Sequence, residues 1–155
     1  MLQKTAAAFV CVAWAMWFGG LAALFLFVTQ LFAVDRAMAR QAAPQLFHVF
    51  EKYQILLAAV ALLGTLAWRV ISGSARTTML FCLLGVASLA AACGPILTST
   101  RMNQLIAQDQ SDTPEFRKLH GESMMIYSSE LLLLLAAGLM LPWTLQDVPP
   151  PKTTN

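Results

Sequence analysis

The sequence predicts an all-α integral membrane protein folded as an up-and-down four-helix bundle. Three observations carry that prediction. Hydrophobic residues make up 58% of the 155 residues and charged residues only 12%, about half the charged share of a soluble domain. Residues 5–34 run for 30 positions, and residues 77–100 for 24, without a charged side chain. A helix crosses the hydrocarbon core in roughly 20 residues, so both runs suffice. Finally, proline, glycine and serine punctuate the chain into four segments of that length.

The first helix is expected over residues 5–40. Lys4 precedes its apolar run and Ala37, Met38 and Ala39 follow, a layout shared with secretion leaders. The run is about twice the usual 7–15-residue leader core, so it reads as a span. The second helix is expected over 44–73: Pro44 suits a first helical turn, residues 53–68 are uncharged, and Arg69 can reach the headgroups beside Trp68. The third is expected over 77–109, with Pro95 kinking the helix without ending it. The fourth is expected over 114–142. Thr113, Pro114 and Glu115 read as cap, first-turn proline and first-turn acid, and Pro142 as a stop.

Every span must be helical, because lipid offers no partners to backbone N–H and C=O groups. Residues 1–143 thus form one transmembrane domain and residues 144–155 a short disordered C-terminal tail. One end of the bundle carries two long charged connections, near residues 35–52 and 101–122, and the other carries the termini and a tight turn at 72–77. Small residues at spacing four favour close packing: Gly19 with Ala23, Ala87 with Ala91, and Ser88 with Ala92. Trp14 and Trp17 read as bundle packing or lipid-facing side chains. Cys11, Cys82 and Cys93 form no pairing or ligand pattern and read as buried small hydrophobes.

The long-connection end holds six bases (Arg36, Arg40, Lys52, Arg101, Arg117 and Lys118) and the other end four. The positive-inside rule counts bases, which puts the long connections inside and both termini outside a bacterial cytoplasmic membrane. A net charge of +2 gives no reason to expect a nucleic-acid partner. The partners implied are the lipid bilayer and a second copy or another membrane protein.

Candidate functional residues are few. His120, Ser123, Tyr127 and Glu130 are spaced three, four and three, which places them within roughly an 80° arc of the fourth helix. Glu130 is followed by five leucines, and an acid at that depth costs about 2.5–3.5 kcal/mol on insertion scales. It reads either as a protonated or hydrogen-bonded tie between helices, or as a proton, cation or substrate site. Its available partners are Thr65, Ser88 and the carbonyl that Pro95 leaves free. His48 and His120 start the second and fourth helices at the same end. They read as interfacial histidines, or as axial ligands of a haem b iron, or as part of a metal site with Glu51 and Glu122.

Four stretches give the chain a family resemblance: "WFGG" from Trp17, "LFHVF" from Leu46, "TRMNQL" around Arg101, and "FRKLHGES" from Phe116. Over most of its length the chain resembles the transmembrane protein 205-like family, the integral-membrane domain of unknown function numbered 4149. His120, Gly121 and Ser123 match its His-Gly-x-Ser pattern, and Arg101 matches the basic residue leaving the third helix. Tyr127 departs from the asparagine often found there, and Glu130 lies outside the motif. The resemblance implies a four-helix membrane protein and no particular activity. The layout is also similar to small four-helix haem-associated families such as the copper-resistance D-like proteins.

No nucleophile elbow, phosphate loop or paired-carboxylate signature is present, so nothing marks the chain as an enzyme. Three functions are open: a non-enzymatic packing or accessory component, a small ion, proton or metal transport-related protein using Glu130, and a haem or metal redox protein using His48 and His120.

Overall fold

The computed structural model describes residues 2–146. Four long helices account for almost all of them: α1 Leu2–Val34, α2 Arg36–Ser72, α3 Ala75–Ala107 and α4 Pro114–Leu145. All four are long and apolar enough to cross a membrane. They pack as an up-and-down bundle, with α1 chiefly on α2, and α3 on both α2 and α4. Trp14 of α1 meets Leu134 and Gly138 of α4, while Arg76 donates to the Trp143 carbonyl at 3.2 Å. The starts of α1 and α3 and the end of α4 therefore share one end of the bundle.

Large apolar side chains cover much of the outer surface of the helices. Leu63, Leu89, Leu132 and Leu139 point outward, while Leu21, Leu80, Leu84 and Leu134 are fully enclosed. Continuous exposed apolar surface of this kind is matched to lipid, not water. Cys82 belongs to that outer surface, contrary to the buried role expected of it, and Cys11 and Cys93 are half-buried.

Three connections differ from expectation in instructive ways. The first and second helices meet at Asp35 alone, so residues 36–40 belong to α2 rather than α1. Asp35 is extended, and its carboxylate accepts from the N–H groups of Ala37 and Met38 at 2.8 and 3.1 Å. That satisfies two of the donors a helix start leaves open. Pro44 then falls inside α2, not at its start. The long charged connection expected near residues 35–52 is an extension of the helix itself.

At the opposite end Gly73, with φ 61°, closes α2 and donates to Arg69 O, and Ser74 caps α3. That left-handed position is open to glycine without strain. After α3 the chain turns through Asp109, also left-handed at φ 56°, with Gln110 N–H bonded to Leu105 O and Asp109 N–H to Ile106 O. This paired closure satisfies the last carbonyls. Pro142 does not stop α4, which continues to Leu145. Its missing N–H removes one bond only, the one Gly138 would have received. Residues 147–155 of the expected tail lie outside the described residues.

Pro95 changes the helix without ending it. Residues Pro95–Ser99 form a π-helical turn inside α3, and Thr100 N–H bonds Pro95 O. The carbonyl that an α-helical N–H at residue 95 would have bonded is that of Ala91. Gln54 of α2 supplies a donor there instead, Nε2 to O at 3.3 Å.

Close approach between α1 and α2 runs through glycines other than the one the sequence pattern singles out. A Cβ at Gly20 would stand 3.0 Å from the Phe50 ring, and one at Gly64 3.0 Å from Val10. Gly19 faces open space. Ala87 and Ala91 are fully buried, as small residues at a helix crossing should be.

Candidate functional site

Two polar rows face each other across the bundle. On α4, Ser123, Tyr127 and Glu130 are buried, and His120 lies exposed at the rim with its ring stacked on Phe116. On α2, His48, Glu51 and Gln54 follow one another at spacing three, with Glu51 and Gln54 buried. This second row continues the face of Leu57, Ala58, Ala61 and Thr65.

Glu51 is the centre of the site. Only 5% of it is exposed, yet in the sequence it stands out only as a possible metal-site companion of the two histidines. Tyr127 donates to its Oε1 at 2.8 Å, and the Ser99 hydroxyl donates to the same oxygen. Its Oε2 stands 4.0 Å from His48 Nδ1. Three helices thus converge on one carboxylate. Ser99 is brought there by the π-helical turn that Pro95 begins. The missed signal was periodicity: at three- and four-residue steps, Glu51 and Gln54 fall on the apolar face of α2.

A cavity of about 640 Å³ opens at this end of the bundle, and Glu51, Ser99 and Tyr127 line it together with His48, His120 and Ser123. Phe25 of α1 and Phe47 of α2 stand against Tyr127, with ring centroids 6.3 and 5.3 Å away. Val28, Ile106 and Met124 add further apolar wall, and Arg40, Asp112 and Arg117 lie towards the loops. A second, shallower cavity between α2 and α3 shares His48, Glu51, Ser99 and Asn103 with the first and adds Lys52 and Pro95.

Glu130 lies one turn deeper on α4 than Tyr127 and is fully buried. Its Oε1 accepts from the Trp17 indole at 2.7 Å, and its Oε2 has no partner. The partner is therefore a tryptophan of α1, not Thr65, Ser88 or the freed carbonyl. Thr65 and Ser88 donate within their own helices, to Ala61 O and Leu84 O. The indole N–H was overlooked because tryptophan counts as apolar in periodicity reading, although buried indoles need an acceptor. Beyond Glu130 the buried face of α4 continues with Leu134, Ala137 and Leu141.

The other residues singled out in the sequence lie apart. Arg101 pairs with Glu115 at 2.8 Å on the surface, and Gly121 faces open space. Glu122 lies 3.9 Å from Lys118. Among the described residues no three of His, Cys, Asp and Glu are grouped to hold a metal ion.

Fold and site together define a small four-helix bundle, its helices long and apolar enough to cross a membrane, with a cavity at one end that holds a buried carboxylate. Comparison with protein-family models, curated proteins and solved structures gives no match.

Proposed function

We propose that this chain is a non-enzymatic component of the membrane that binds a small amphipathic molecule at the long-connection end of its bundle, with the polar end of that molecule at Glu51. One observation carries the reading. A buried carboxylate, bonded by hydroxyls from α3 and α4, floors a cavity of about 640 Å³ with largely apolar walls. Small-molecule sites have this make-up: apolar walls, and a few polar groups that fix orientation. Glu130 serves here as a tie to α1, because its Oε1 accepts from Trp17 and the next buried residues of α4, Leu134, Ala137 and Leu141, are apolar.

The reading places the protein in the bacterial cytoplasmic membrane, with the long-connection end inside by base count. Its apolar outer face meets lipid, a second copy or a membrane partner. The resemblance to the transmembrane protein 205-like family is carried forward as part of it, since His120 and Ser123 of the shared motif line the cavity. Native mass spectrometry of wild type and Val28→Trp, whose indole would intrude on the cavity beside Phe25, tests the proposal. Wild type should retain a small-molecule adduct that the variant lacks. Identical spectra would remove the proposal.

A second reading has one observation in its favour: His48 and His120 line the same cavity. Two histidines on different helices are the ligands a six-coordinate haem b requires. A Soret band in the purified protein, lost in both His48→Ala and His120→Ala, would establish it; a spectrum without one would end it.

A further inference from the structure

We propose that the molecule taken up at Glu51 is an organic cation: an ammonium group on an apolar, preferably aromatic, body. The inference rests on the ligand-binding reading above and adds the chemical class of the ligand.

Glu51 Oε1 already accepts two hydroxyl donors, from Tyr127 and Ser99. The basic group beside Oε2 is His48 Nδ1, and 4.0 Å is beyond hydrogen-bond length. Among the described residues no lysine or arginine pairs with this carboxylate, although it is almost wholly enclosed. Buried carboxylates are ordinarily paired. An ammonium supplies both missing elements, a donor for Oε2 and a counter-charge.

The surroundings point the same way. Phe25, Phe47 and Tyr127 form a cluster with centroids 5.3–6.5 Å apart, all three lining the cavity that Glu51 floors. Aromatic faces beside a carboxylate are the chemistry that recognises ammonium groups, because the ring quadrupole attracts a cation. Arg40 and Arg117 line the same cavity from its exposed end near the loops. Arg40 lies 3.9 Å from Asp112, both exposed. Arg117 precedes Tyr127 by ten residues, roughly 15 Å of helix. Lys52 lines the second, shallower cavity and not the first.

The test compares three probes of one shape, 4-phenylbutylamine, 4-phenylbutanol and 4-phenylbutyrate, by calorimetry on the full chain in nanodiscs, with empty nanodiscs subtracted. The amine should bind once per chain and at least about tenfold tighter than the alcohol, one unit of 1.4 kcal/mol. Glu51→Gln should erase that preference by weakening the amine at least about tenfold more than the alcohol, and Phe47→Leu should reduce it. Equal binding of amine and alcohol to wild type, an amine preference that survives Glu51→Gln, or tightest binding by the butyrate would each overturn the inference. The wild-type comparison needs no variant to fold. Val28→Trp separates the two levels: if it abolishes alcohol binding while the amine shows no preference, the cavity reading stands and only the cation falls. If no probe binds wild type, both fall.

Discussion

The ring of Trp14 occupies the space that a side chain at residue 138 would need. A Cβ on Gly138 would overlap the indole, and the Trp14 Nε1–H donates to Leu134 O at 2.7 Å, one turn earlier on the same helix. Glycine at 138 lets α1 lay an aromatic side chain directly on the backbone of α4.

Gly138→Ala should therefore destabilise the bundle by about 1–3 kcal/mol, the usual cost of overpacking. The same change in a Trp14→Ala background should cost much less, because the clashing ring is gone. Unfolding midpoints of the four proteins in detergent measure the coupling. Equal losses in both backgrounds would refute the contact.

Glu130→Gln should be nearly neutral for folding, since the amide oxygen can still accept from Trp17 at similar size. Glu130→Leu should cost about 1–3 kcal/mol by leaving a buried indole N–H unpaired. Trp17→Phe should remove most of the difference between the two variants. A Glu130→Leu protein as stable as Glu130→Gln would show that the tie contributes nothing.

The Gln54 side chain and Pro95 should be coupled through the Ala91 carbonyl. Gln54→Leu takes away the donor that serves this carbonyl and should cost about 0.5–1.5 kcal/mol. In a Pro95→Ala background, the restored N–H can bond Ala91 O, and the loss should shrink. A double-mutant cycle by chemical denaturation measures this; strict additivity would mean that Gln54 acts only by filling space.

Single cysteines at Arg40 and Ser74, in a chain otherwise free of cysteine, should label from opposite sides of the membrane with an impermeant maleimide. Arg40 lies near the cavity and Ser74 in the α2–α3 turn, at opposite ends of the bundle. Labelling of both from one side would contradict the orientation of the helices in the membrane.

Much of this architecture was legible from residue order alone. Four apolar segments, two of them uncharged over 5–34 and 77–100, fixed the number of helices, because a segment of this composition crosses lipid as a helix. Thr113, Pro114 and Glu115 marked the start of α4, and capping is chemistry between neighbours in sequence. The row from His120 to Glu130 was visible for the same reason, being periodicity on a single helix. Asp35 falls inside the first helix expected over 5–40, because a capping aspartate and a mid-helix aspartate are the same letter. The proline at 44 carries a first-turn signal that a helix already under way can override.

What the tertiary structure alone decided is which groups meet. Glu51 became the centre of the site because α3 and α4 each bring a hydroxyl to it, Ser99 by way of the π-helical turn and Tyr127 from the facing row. Trp17 became the partner of Glu130, and Gln54 the partner of Ala91, through bonds between residues 113 and 37 positions apart. Periodicity gives the face of a helix but not the rotation and depth at which another helix lies against it. Those are set by close packing, here by Gly20, Gly64 and Gly138 admitting Phe50, Val10 and Trp14, and hydrogen bonds across a bundle form only where packing has brought donor and acceptor to about 3 Å.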